Sequence, residues 1–81
     1  MWYLKTKLGL FWIVESDEPM ASPQYTLGMD DDSLGFYQSV EAAIKDVCDH
    51  KTGAIKWDAS LKADAPHDVS GWVQGQPESW N

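Results

Sequence analysis

Residues 40 to 51, VEAAIKDVCDHK, form the one stretch of this chain with a helical period, and that limits the architecture severely. Val40, Ala43, Ile44, Val47 and Cys48 fall on one stripe at helical spacing, while Glu41, Lys45 and Asp49 repeat every four residues on the opposite side. A lone amphipathic helix must lay its apolar stripe on something. The segments before it are rich in aromatic and β-branched residues, so that something is a sheet. Ser39 is placed to cap the helix by accepting a bond from a free amide of the first turn. Glu41 lies where the helix dipole favours a negative charge, and Gly53 is placed to stop the helix.

The strands are read from period two. Residues 2 to 7, WYLKTK, put Trp2 and Leu4 on one face and Tyr3, Lys5 and Lys7 on the other, as in a strand with one wet side. Residues 10 to 15, LFWIVE, lack polar positions until Glu15 and suit a central strand; Leu8-Gly9 predicts a tight hairpin between the two. Residues 16 to 24 hold two prolines and read as a loop, 24 to 29 as a third strand, 30 to 33 (DDDS) as a turn and 34 to 37 as a fourth strand. A further short strand is expected at 54 to 57 (AIKW). The tail from Asp58 to Asn81 has no regular period.

The predicted fold class is therefore α+β: a three- or four-stranded antiparallel meander with one helix, about residues 40–51, on one face. The chain forms a single domain, 1–81, with a compact part at about 1–58 and an irregular but ordered tail at about 59–81. A chain of 81 residues buries only about 60–65% of its unfolded surface. Ten aromatic residues, five of them tryptophan, offset that small size because each large ring buries about 150–250 Å².

Cys48 is the only cysteine, which excludes an intrachain disulfide and a four-cysteine zinc site and suits a reducing cytoplasm. The run Gly9 to Val14 is too short for a membrane span or the apolar core of a signal peptide. Thirteen acidic residues against six lysines and no arginine give a net charge of −7. Nucleic acid is not an expected partner, since phosphate is gripped by clustered Lys and Arg.

Residues 30 to 41, DDDSLGFYQSVE, place Asp30, Asp32, Gly35 and Glu41 at positions 1, 3, 6 and 12 of a calcium-loop pattern. Leu34 stands where an oxygen ligand is wanted, so Asp30, Asp32 and Glu41 are weak metal candidates and no metal or other cofactor is assigned. Consecutive Cys48, Asp49 and His50 cannot converge on one ion from a helix. Ser39, Ser60, Ser70 and Ser79 lack the glycine-flanked elbow of a serine hydrolase, and no glycine loop is built to cradle phosphate. No catalytic constellation is present, and the chain is not expected to be an enzyme.

The segments FYQSVEAAIKDV, TGAIKWD and PHDVSGW resemble those of small uncharacterised bacterial proteins that combine a short antiparallel sheet with one helix. The resemblance covers about residues 34 to 72. It implies the same architecture and a bacterial or phage source, and it transfers no functional residue.

The functional expectation is a protein-protein interaction module. Trp2, Trp12 and Trp57 lie in strand candidates and read as packing residues. Trp72 and Trp80 stand in a polar, irregular stretch and are candidate anchors for a partner, with Asp30, Asp31 and Asp32 as a candidate acidic contact. An alternative is an acidic inhibitor or nucleic-acid mimic, such as a phage anti-defence protein, in which Asp30, Asp31, Asp32, Glu15, Asp17 and Glu18 share one face. Edge strands left open make a homodimer a further expectation.

Overall fold

Thr6 closes the first turn of the chain. Its hydroxyl donates to the Gly9 carbonyl oxygen at 2.7 Å and accepts from the Leu8 and Gly9 amides at 3.2 and 3.1 Å. A hydroxyl can donate and accept at once, so the loop Lys7-Leu8 is held from within while β1 (Trp2–Thr6) folds back on β2 (Gly9–Glu15). In this computed structural model, which describes residues 1–15, 24–60, 62–75 and 77, β3 (Tyr25–Met29) and β4 (Asp32–Tyr37) complete a meander. The main helix α1 (Val40–Cys48), a one-turn helix α2 (Ile55–Asp58), a 3-10 turn at Val69–Gly71 and β5 (Val73–Gln74) follow. The sheet is antiparallel throughout, in the order β4-β3-β2-β1-β5. The fold is α+β, as the sequence predicts.

Cross-strand partners share a face. The rows Leu4, Phe11, Met29 and Trp2, Ile13, Leu27 therefore define one face of the sheet. Phe11, Ile13, Leu27 and Met29 meet Val40, Ala43, Ile44 and Val47 of α1 in the core, with Trp57 and Trp72 alongside. Ser39 Oγ accepts from the Ala42 amide at 3.1 Å, the predicted cap. Tyr37, at the end of β4, donates its hydroxyl to Asp46 Oδ2 at 2.7 Å and so ties the strand to the helix it feeds. Burial and then that carboxylate raise the Tyr37 pKa well above its ordinary value.

Three expectations are corrected. The helix stops at Cys48 rather than near residue 51, and Gly53 is not its terminator. His50 takes the left-handed conformation, φ 57, with its amide on Val47 O at 3.2 Å and the Lys51 amide on Asp46 O at 3.0 Å. This is the double closure usually built around glycine. His50 can occupy that position because its ring is held: Nδ1 lies 2.9 Å from Trp57 O, Nε2 2.9 Å from Ala63 O, and the ring stacks on Trp57 at 5.1 Å.

Residues 54–57, expected as a strand, instead give the N-cap, Ala54, and the first three residues of helix α2. The reason is Asp58, whose carboxylate accepts from Thr52 N (3.0 Å), Thr52 Oγ1 (2.8 Å) and Gly53 N (2.8 Å) and curls the chain back on itself. In a strand Ile55 and Trp57 would share a face. In the turn they part: Trp57 is 1% exposed and Ile55 85%. The Trp57 ring stands edge-on to Phe11 at 4.9 Å, and its Nε1 donates to Val47 O at 2.8 Å.

The tail is not wholly irregular, and it supplies a fifth strand. Asp68 Oδ1 accepts from Ser70 N at 2.7 Å to start the 3-10 turn, Trp72 then drops into the core beside Phe11, and Val73 and Gln74 pair with Tyr3 and Trp2. A two-residue strand carries too little pattern to be read from sequence.

The two core indoles differ in one respect. Trp57 Nε1 is bonded, whereas Trp72 Nε1 is buried without a hydrogen-bond partner. Replacing Trp57 by Phe removes one of two bonds to the Val47 carbonyl and leaves it the His50 amide, while Trp72→Phe removes an unsatisfied donor. Urea unfolding should therefore show Trp57→Phe to be the more costly by about 1 kcal/mol.

Burial opposes ionisation of Asp58, but the donors from Thr52 and Gly53 and the nearby His50 outweigh it and hold the carboxyl below the usual carboxylate range. A value lower in the folded than the unfolded state contributes stability above about pH 4 that is lost as pH falls further. Asp58→Asn should lower the urea midpoint at neutral pH and flatten its decline in acid.

Candidate functional site

The second face of the sheet is built from the alternate residues. Tyr3 pairs with Trp12, Lys5 with Leu10, Val14 with Thr26, Thr26 with Phe36, and Tyr3 with Val73. Those pairs place Tyr3, Leu10, Trp12, Val14, Phe36 and Val73 on the side away from α1, and none of them belongs to the core cluster. Phe36 on β4 is 69% exposed and Val73 on β5 is 50% exposed, so the most open apolar side chains stand at the two margins of the face.

Trp12 covers its middle. Gly28 lies opposite Trp12 across the β2-β3 ladder, and a Cβ there would sit 1.9 Å from Trp12 Cζ2. Only a residue without a side chain lets the indole lie flat across β3. Trp12 Nε1 then donates to Asp30 O at 2.8 Å, which fixes the ring's direction. Beyond β4 no described strand pairs, so the outer edge of the sheet is open beside Phe36.

Asp30 is a fastening rather than a free contact. With φ 53 it turns the β3-β4 hairpin, its amide donates to Leu10 O at 2.8 Å, and its carboxylate accepts from Leu10 N at 3.0 Å and Lys56 Nζ at 3.2 Å. The Leu10 bond first, and Lys56 second, hold its pKa below the usual range. Asp31 and Asp32 are exposed.

Glu41 lies in the first turn of α1, and the calcium-loop pattern is broken by what separates it from Asp32. Residues 32–37 are β4, six residues extending about 20 Å, so the strand carries Glu41 away from the hairpin turn. Among the described residues no group of three His, Cys, Asp or Glu side chains could hold a metal ion. Glu15 likewise ends β2 at the margin opposite Asp30, and Asp17 and Glu18 lie outside the described residues.

Trp72, a candidate anchor, is 5% exposed and packs in the core. Trp80 lies outside the described residues. Cys48 Sγ lies 3.4 Å from Pro66 O and 3.6 Å from Ala65 O. Burial first, then Asp64 and Asp49, raise its pKa, which keeps it a thiol and a poor nucleophile.

The outer face had a partial sequence signal. Residues 10–14 are all apolar, which supplies apolar groups to both sides of β2. The placement of Phe36 is different, because the ladder shifts register between Leu27 and Gly28 and no pattern in the sequence marks that irregularity.

Comparison of the chain with protein-family models, with curated proteins and with solved structures found no match. No helix among the described residues is long and apolar enough to cross a membrane.

Gly28→Ala should lift the Trp12 indole off the sheet and cost about 1–3 kcal/mol. The check is a lower urea midpoint together with an altered near-ultraviolet circular dichroism of the tryptophans.

Proposed function

We propose that the protein is a non-enzymatic interaction module that binds another protein through the outer face of its sheet. The observation that carries this reading is the row of apolar side chains across that face, from Phe36 on one edge through Trp12 and Tyr3 to Val73 on the other. Contiguous exposed apolar surface in a small domain marks a place of association. The indole and phenol at its centre are residue types that anchor partners, each giving a large, rigid contact with a polar tip.

Two features favour a protein as the partner. The face is apolar, and the chain as a whole is strongly acidic, which opposes nucleic acid. The open edge of β4 adds a route for a second copy to pair strand to strand and extend the face, so homodimerisation is one form that the association takes. A reducing cytoplasm suits the single free thiol of Cys48.

The test substitutes Phe36→Ser and Val73→Ser together. Both side chains are exposed, so each change should alter stability by no more than about 0.5 kcal/mol. Immobilised wild-type protein should retain a specific partner from a lysate of its host, or self-associate by light scattering, and the double variant should lose that behaviour while melting at the same temperature. A variant that retains the same partner and the same oligomeric state overturns the reading.

A further inference from the structure

The edge of β1 is only half covered. β5 pairs with Trp2 and Tyr3 and ends there, and among the described residues no strand pairs with Leu4 to Thr6 on that side. Strand residues address alternate sides. Met1 O accepts from Gly75 N at 2.7 Å on the β5 side, so Tyr3 and then Lys5 face the same way, and the amide and carbonyl of Lys5 point past the end of β5, where no described strand pairs with them.

Beside them is a groove of about 520 Å³ between the β1-β2 hairpin and residues 62–66. Leu4, Leu8 and Pro66 give it apolar walls, and Lys5, Lys7 and Lys62 line it against one carboxylate, Asp64. Half of the chain's six lysines are gathered here, although the net charge is −7. Among the described residues the ion pair is Lys56 with Asp30, and Lys5, Lys7 and Lys62 have no such partner.

We infer that this groove takes an acidic, extended segment of a partner protein, which pairs its main chain with Lys5 at the open edge of β1 while its carboxylates meet Lys5, Lys7 and Lys62. Addition of a strand to a sheet edge supplies main-chain bonds for affinity and side-chain contacts for choice of sequence. The lysines supply that choice here. A second copy of this chain is a poorer occupant, because its acidic run Asp30 to Asp32 is bent into a hairpin turn and offers no extended backbone. The groove shares Lys5 with the outer face of the sheet but includes neither Phe36 nor Val73, so either site can fail without the other.

The experiment titrates 15N-labelled protein with a capped peptide of alternating glutamate and valine, followed by amide chemical shifts. Expected are shifts confined to residues 4–8 and 62–66, slowed hydrogen exchange at the Lys5 amide, and weaker binding as ionic strength rises from about 10 to about 150 mM, over which the screening length falls from about 30 to about 8 Å. The Lys5→Glu, Lys62→Glu double variant should lose the shifts; Lys62→Glu alone, in a loop, serves if the pair disturbs folding. No shifts, shifts on Phe36 and Val73 instead, equal binding of the peptide with lysine in place of glutamate, or equal binding of a peptide methylated on its backbone nitrogens each overturns the inference.

Discussion

Phe11 is the point on which the three parts of this chain converge. It sits in the middle of the central strand, fully buried, with Trp57 standing edge-on to it and Trp72 tilted beside it. The meander brings Phe11, α2 brings Trp57 and the tail brings Trp72, and the helix closes the group through the Val47 carbonyl that Trp57 Nε1 reaches. In so small a domain aliphatic burial alone gives little margin. Two indoles on one phenyl ring bring the connection after α1 and the tail into the same core as the sheet.

The parts of the fold that could be read in the sequence are those that repeat. The four strands of the meander, the stripe of α1, the Ser39 cap and the turn at residues 30–33 each follow from spacing or from a side chain acting within a few residues. What could not be read depends on a single residue acting at a distance. Asp58 makes a helical turn of AIKW by gathering donors from Thr52 and Gly53. His50 ends α1 in a conformation normally left to glycine because its ring reaches Trp57 O and Ala63 O. No local pattern announces such contacts.

The candidate surfaces divide in the same way. Tail tryptophans in a polar stretch suggested anchors, yet Trp72 belongs to the core, and the Asp30 carboxylate is engaged within the fold. Apolar side chains stand instead on the reverse of the sheet, where Leu10, Trp12 and Val14 of β2 share a face with Tyr3 of β1 and Phe36 of β4. A strand whose residues 10–14 are all apolar has a second face to account for, and α1 packs on the first.

Asp30 sits where the two sides of the sheet share a fastening. Its carbonyl oxygen holds the Trp12 indole on the outer face, while its carboxylate holds Lys56 of α2 and the amide of Leu10 at the start of β2. One residue at this turn thus touches both the aromatic surface and the short helix behind it. A displacement of the indole has to be taken up by a residue whose other polar atoms are already committed. The hairpin tip is thus a mechanical joint between the front and the back of the molecule.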